Sequence, residues 1–257
     1  MQLKQRTILI TGGTSGIGLE LARQLLARNN TVIVTGRDAD RLALAQREMP
    51  ALHGILSDVS NADAIGALHA TVLDRFPSLD VLINNAGVMR NLDLTQTHAL
   101  ADVTREIDIN LRGPVHMVQQ FLPQLQARKQ GAIINITSGL AFVPLAIAPV
   151  YSATKAALHA YTRALRVQLA GRVEVFEIAP PGVETPLLRA EFQAEMQGQK
   201  GMAVDALVRQ AIAGIEAGRV EIRPGLANVL KAMSRIAPEF MFRQMTKMMK
   251  PKPAPAV

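Results

Sequence analysis

Short apolar runs alternate along this chain with longer stretches in which apolar residues recur every three or four positions. T-I-L-I-T (7–11), V-I-V-T (32–35), L-H-G-I-L-S-D (52–58), L-D-V-L-I-N-N (79–85), G-A-I-I-N-I-T ahead of Ser138 and V-E-V-F-E-I-A (173–179) read as strands. Between them, 17–28, the segment that Asp38 is placed to cap, 61–76, a long segment reaching about Arg128 and the segment after Tyr151 read as helices. Nearly continuous apolar strands, alternating with helices across short loops, predict a parallel sheet covered on both faces. The expected fold is α/β, a doubly wound, Rossmann-like parallel sheet.

With 257 residues, 49% hydrophobic and 19% charged, the chain is long enough for one large domain with a sizeable core. It contains no cysteine, which excludes disulfides and thiolate metal sites and fits a cytoplasmic, reducing setting. His53, His69, His98, His116 and His159 show no ligand spacing, so no metal is expected. The apolar run before the first glycines is too short for a signal peptide. Residues 131–154 carry no charge, but Asn135, Thr137, Ser138, Pro144, Pro149 and Ser152 interrupt them, which predicts a buried strand and a pocket wall rather than a membrane helix.

Tyr151 and Lys155 stand four apart in a helical run, so both leave one face of a helix, one turn apart. An ammonium beside a phenol favours the phenolate, and the spacing predicts a tyrosine whose pKa falls from about 10 towards neutrality as the acid–base group of an alcohol/carbonyl pair. Ser138 follows a buried strand, where a hydroxyl can face a ligand crevice and hold a substrate oxygen against Tyr151. T-G-G-T-S-G-I-G (11–18) leaves a strand and enters a helix, a turn in which backbone amides approach a pyrophosphate. Gly13 and Gly18 match half of a nucleotide P-loop, but Leu19 and Glu20 follow where lysine and a hydroxyl residue are required, which disfavours a P-loop NTPase.

Together these residues resemble the short-chain dehydrogenases/reductases, over roughly residues 5–225. The glycine loop is similar to the family's cofactor loop, which assigns Gly12, Thr14, Ser15, Gly16, Ile17 and Gly18 to a dinucleotide. Asn84-Asn85-Ala86-Gly87 resembles its sheet-stabilising N-N-A-G, whose backbone borders the adenosine, and Asp58 with Val59 stands where the family meets the adenine. Asn110 looks like the helix asparagine that holds a water in the proton relay and, with Ser138, Tyr151 and Lys155, completes a catalytic tetrad. Pro181, Gly182, Val183 and Thr185 resemble the segment that closes over the nicotinamide. The resemblance implies hydride transfer between a nicotinamide and a carbonyl or secondary alcohol. Tyr151 would give or take the proton, Lys155 would hold the ribose and Ser138 would position the oxygen. A catalytic, dinucleotide-binding domain is thus expected over 1–225.

An acid at the end of the second strand suits NAD and an arginine there suits NADP. Gly36 occupies that place here and Arg37 follows, so NADP(H) is expected over NAD(H), with Asp38 read as a helix cap. The apolar loop between Ser138 and Tyr151, with Val88, Met89, Leu187 and Leu188, suggests an apolar or amphiphilic carbonyl substrate beneath a flap at 186–201, and Arg90 or Arg189 is placed to meet an anionic group. Ala156, Ala160 and Ala164 form a small-residue stripe that resembles the face on which family members pair, predicting a homodimer or homotetramer; packing on the chain's own sheet is the alternative.

From Gly225 onward, Lys231, Arg235, Arg243, Lys247, Lys250 and Lys252 face a single acid, Glu239, so five of the net seven positive charges lie there. With aromatic residues at 4%, that distribution argues against nucleic acid as a partner. Apolar residues at helical spacing on either side of Pro238 predict a helical extension over 226–250, packed over the crevice or a neighbouring subunit in preference to lying on a membrane, and 251–257 is expected to be disordered. Motif order and the R-I-A-P-E-F segment resemble a bacterial subgroup of oxidoreductases associated with D-alanine transfer. A regulatory NADP-binding protein with little turnover is the alternative reading, against which the complete tetrad argues.

Overall fold

The computed structural model describes residues 1–192, 195 and 200–248. Its elements run β1 (Thr7–Thr11), α1 (Gly16–Leu26), β2 (Thr31–Gly36), α2 (Ala39–Glu48), β3 (His53–Leu56), α3 (Ala62–Arg75), β4 (Leu79–Asn84), α4 (Leu100–Val103) and α5 (Arg105–Ile107). A π-helical turn, Asp108–Arg112, leads into α6 (Gly113–Gln126), followed by β5 (Ala132–Ile136), a single 3-10 turn at Gly139–Ala141, α7 (Pro149–Gln168) and β6 (Glu174–Ile178). α8 (Pro186–Phe192), α9 (Val204–Glu216), β7 (Glu221–Ile222), α10 (Ala227–Ile236) and α11 (Pro238–Met248) complete the elements of the described residues.

The seven strands form one parallel sheet in the order β3-β2-β1-β4-β5-β6-β7. Strand alternation fills a layer on each face. Ile8 and Ile10 meet Leu21 and Leu25 of α1 and Val208 and Ile212 of α9, whereas Leu9 between them meets Ile65, Met117, Phe121 and Leu165 of α3, α6 and α7. Because both faces are covered, the strands carry few polar positions, the property that makes them legible as apolar runs. The strand order reverses between β1 and β4, so the crevice outside their carboxyl ends is the place where this architecture binds ligands.

Several local expectations change. The long helix expected up to about Arg128 is broken into α4, α5, the π turn and α6, with Pro114 where the π turn passes into α6. The helix carrying Tyr151 already starts at Pro149. α9 and β7 lie where the sequence suggests no element, and a two-residue strand is too short to show alternation. Ala156, Ala160 and Ala164 are exposed, which removes packing on the chain's own sheet as their explanation. The segment 251–257, together with Lys250 and part of the 186–201 flap, lies outside the described residues. No described helix is long and apolar enough to cross a membrane.

A buried polar ladder ties the sheet to α7. Asn84 Nδ2 donates to Asn135 Oδ1 at 2.8 Å, Asn135 Nδ2 donates to Thr162 Oγ1 at 2.9 Å, and that hydroxyl donates to the Leu158 carbonyl at 2.6 Å. Asn135 and Thr162 are fully buried, so no water replaces a lost partner. Asn135→Ala is therefore expected to cost about 2–4 kcal/mol, from two unmet polar groups; a urea unfolding midpoint indistinguishable from wild type would contradict this.

Candidate active site

The glycine loop is built as a cradle without side chains. Gly12 adopts a φ of +65°, a conformation other residues rarely hold, and a Cβ on Gly18 would collide with the Gly12 carbonyl and the Asn85 side-chain amide. Asn85 fixes this approach from the neighbouring strand end: its Nδ2 donates to the carbonyls of Thr11 at 3.0 Å and Gly12 at 2.9 Å. In return, Thr11 Oγ1 accepts from the backbone amides of Asn85 at 3.0 Å and Ala86 at 3.1 Å. Ser15 stands at the N-cap of α1 without a side-chain hydrogen bond to the first turn, leaving the amides at Gly16, Ile17 and Gly18 to face an incoming anion. Thr14 packs against Gly36, and Thr185 lies across the loop, its Cγ2 3.3 Å from where a Cβ on Gly16 would stand. A cradle that Cβ atoms would fill, over an uncapped helix terminus, fits a dinucleotide pyrophosphate.

The tetrad residues meet beside this cradle. Gly87 lies at the junction, with Asn110 Oδ1 3.3 Å and Lys155 Nζ 3.6 Å from its would-be Cβ. Asn110 is completely buried in the π turn and clasps the backbone of Val88: Oδ1 accepts from its amide at 2.9 Å and Nδ2 donates to its carbonyl at 2.8 Å. Nδ2 also donates to Thr154 Oγ1 at 3.2 Å, so the side chain works as a clamp on the Val88 backbone. Lys155 Nζ donates to the Ile136 carbonyl at 2.9 Å and lies 5.6 Å from the centre of the Tyr151 ring. Ser138 Oγ accepts from Leu140 N at 3.1 Å and stands beside the Tyr151 phenol, whose pKa it lowers.

The electrostatics correct the sequence-based expectation for Tyr151. Burial pushes its pKa up to about 12; the Ser138 hydroxyl pulls down and the Glu106 charge adds to the rise. Burial also pushes Lys155 down to about 8. Desolvation outweighs the nearby ammonium, and the phenol holds its proton throughout the neutral range. Sequence spacing reports that two groups share a helix face but not how completely that face is buried.

Other assigned residues fall into place unevenly. Asp58 Oδ1 accepts from Ser60 N at 2.9 Å and Oγ at 2.7 Å, and Val59 is buried against Gly113. Val183 pairs with Met202, Glu184 N donates to the Met202 carbonyl at 3.0 Å, and Met202 N donates to the Gly182 carbonyl at 2.8 Å. The Pro181 ring borders Gly225, and Thr185 Oγ1 donates to the Val183 carbonyl at 3.3 Å. Asp38 accepts from Arg41 N at 3.0 Å as a helix cap, while Arg37 beside it is exposed and makes no hydrogen bond or ion pair among the described residues. Met89, Leu145, Ile147, Leu188 and Phe192 form an apolar cluster around Tyr151, with Met245 of α11 packed on it. Leu187 is instead exposed. Arg90 and Arg189 are tied to acids, Arg90 to Asp102 at 2.8 Å and Arg189 to Glu184 at 2.8 Å.

Two acids escaped the sequence reading. Glu106 is completely buried, accepts from Arg90 N at 3.1 Å, and has its own pKa raised by burial. It precedes Asn110 by four residues, the spacing that could have flagged it as sharing a helix face. Glu177, completely buried in β6, accepts from Thr137 Oγ1 at 2.6 Å and contacts His159 Nδ1 at 2.8 Å, directly behind Ser138. Ligand atoms of His159, Glu177 and Glu221 lie within 4.8 Å of one another, a group formed from three elements that no spacing motif reveals. Its carboxylates are already engaged, Glu221 by Lys231 and by Arg223 at 3.0 Å, which is a hydrogen-bonded network rather than an open ligand set.

The short chain dehydrogenase family model matches residues 6–196. The "uncharacterized oxidoreductase DltE" of Bacillus subtilis (strain 168) is 40% identical over 247 residues, covering 95% of this chain and 98% of the relative. A short chain dehydrogenase from Burkholderia cenocepacia, solved in complex with NADP, superposes with a TM-score of 0.82 at 26% identity, covering 95% of this chain and 99% of that one. A second, from Burkholderia phymatum in complex with NAD, gives 0.83 at 22% identity over 100% of both chains and speaks to the fold alone. One uninterrupted match thus spans the glycine cradle, the N-N-A-G turn and the group around Tyr151, and the chain belongs to the short-chain dehydrogenase/reductase family of oxidoreductases.

Proposed function

We propose that this protein is an NADP(H)-dependent oxidoreductase acting on the carbonyl or secondary alcohol of an apolar or amphiphilic small molecule, as a homodimer or homotetramer. The observation that carries the reading is the Ser138 hydroxyl beside the Tyr151 phenol within an apolar cluster, next to a cradle in which Gly87 brings Lys155 and Asn110 together. Bound in that cradle, the nicotinamide would supply or accept the hydride. In the reducing direction Tyr151 Oη, protonated at neutral pH, donates to the substrate oxygen, and Ser138 Oγ holds that oxygen in place. Lys155 donates to the ribose hydroxyls, and Asn110 holds the Val88 backbone that walls the site. The apolar side chains around Tyr151 exclude water and favour a substrate of matching character. The exposed alanine stripe of α7 supports the oligomer.

The cofactor preference rests on Arg37, which is exposed and unengaged, whereas Asp38 is committed to its helix cap. Arg37→Ala is expected to weaken NADPH binding about 10–100-fold, the worth of a charge-assisted contact, and to leave NADH unchanged, as read by fluorescence titration. An equal effect on both cofactors would refute the assignment.

Tyr151→Phe is expected to lower kcat by about 10²–10⁴-fold in a screen of apolar ketones and aldehydes with NADPH, while cofactor affinity is retained. Undiminished turnover would favour a different proton donor, and the absence of turnover in the wild type alongside tight NADPH binding would favour the sensor reading.

Lys155 loses its charge as pH rises through about 8. The affinity of the free protein for NADPH is therefore expected to be flat below that pH and to fall above it, by up to about tenfold per pH unit. Lys155→Met should bind more weakly with no such inflection, and an inflection that survives the substitution would assign it to another group.

A further inference from the structure

α10 is apolar on two opposite sides, and only one of them is covered. On the inner side Ala227 is buried and Leu230 packs on Gly139 in the turn after Ser138. Lys231 reaches Glu221 and lies 5.2 Å from the centre of the Phe142 ring. On the outer side Leu226 is 68% exposed, Val229 51% and Ile236 78%, and Phe240 at the start of α11 is 54% exposed. Steps of three and seven residues keep Leu226, Val229 and Ile236 in one stripe on one side of α10, and Phe240 follows beyond the break at Ala237.

Cations outnumber acids around the stripe three to one. Arg235 flanks it on α10, and Arg243 and Lys247 follow Phe240 at three and seven residues on α11. All three cations are exposed and make no ion pair or hydrogen bond among the described residues, and Glu239 is the only acid on these two helices. Elsewhere in the structure arginines are commonly paired, as Arg90, Arg112 and Arg209 are. A second copy of the chain set on this stripe would bring like charges together. A nucleic acid would use the cations but would gain nothing from valine, leucine and isoleucine. A surface that combines negative charge with accessible hydrocarbon satisfies both.

We infer that the outer face of α10 and α11 docks on an anionic lipid surface, with Leu226, Val229, Ile236 and Phe240 entering the headgroup boundary and Arg235, Arg243 and Lys247 meeting lipid phosphates. The inner face of the same helices packs on the Ser138 turn and the apolar cluster around Tyr151, so the docked protein presents the side of its crevice to the membrane, the source of amphiphilic substrates. The docking itself requires no catalytic activity and stands independently of the proposed reaction.

The test is flotation of the full-length protein with phosphatidylcholine vesicles, with and without phosphatidylglycerol, at low and high salt. Binding only to the phosphatidylglycerol vesicles, released by salt, is the expected result. Ile236→Ser/Phe240→Ser and Arg243→Glu/Lys247→Glu should each lower the partition coefficient at least about tenfold, since each double variant removes two contributions of roughly fivefold. These positions are exposed, so unfolding midpoints and NADPH titrations should match wild type and separate a docking defect from a folding defect. Flotation with neither vesicle, equal flotation with both, or flotation that the variants leave intact would overturn the inference. So would a wild-type oligomer that Ile236→Ser/Phe240→Ser dissociates, because the stripe would then belong to a second copy.

Discussion

Everything at this site depends on holding the ends of β1 and β4 together where the sheet reverses direction. Two neighbouring parallel strands diverge there, and each leaves backbone groups that the ladder no longer pairs. Thr11 and Asn85 close the gap reciprocally: the threonine hydroxyl accepts two amides from the β4 side and the asparagine amide donates to two carbonyls on the β1 side. The glycine turn is drawn so close to Asn85 that only glycine fits at position 18. The cradle and the approach of Gly87 to Lys155 both follow from that one clasp.

The catalytic side is fastened by buried polar groups rather than by loops. The Asn84–Asn135–Thr162 ladder sets α7 against the sheet, and α7 carries Tyr151 and Lys155. Asn110 fixes the Val88 backbone opposite, and Glu177 holds Thr137 immediately before Ser138. Asn135, Thr162, Asn110 and Glu177 are costly to bury alone and are hydrogen-bonded in place, which specifies one arrangement of the site, whereas Asn84 Oδ1 has no partner among the described residues. The same burial keeps the proton on Tyr151 and favours the neutral form of Lys155, the opposite of what an ammonium and a phenol in water would suggest.

The C-terminal helices extend that arrangement outward. By seating Leu230 on Gly139 and Met245 on the cluster around Tyr151, they make the wall of the crevice from residues beyond the seventh strand. One helix pair therefore carries both part of the inner lining of the site and an exposed set of apolar and cationic side chains.

The sequence by itself determined the fold class, because strands covered on both faces must be apolar and helices covered on one face must be periodic. It also determined the glycine turn, the shared helix face of Tyr151 and Lys155 and the Asp38 cap, since each is a local pattern of fixed spacing. Only the tertiary structure decided that Glu106, Glu177 and His159 stand near these residues, that Asn110 is a clamp, that Arg90 and Arg189 are paired, and that α10 has an uncovered side. Those facts depend on which distant segments meet and how completely they exclude water. Desolvation and partner geometry are properties of the packed volume, and no spacing along the chain encodes them.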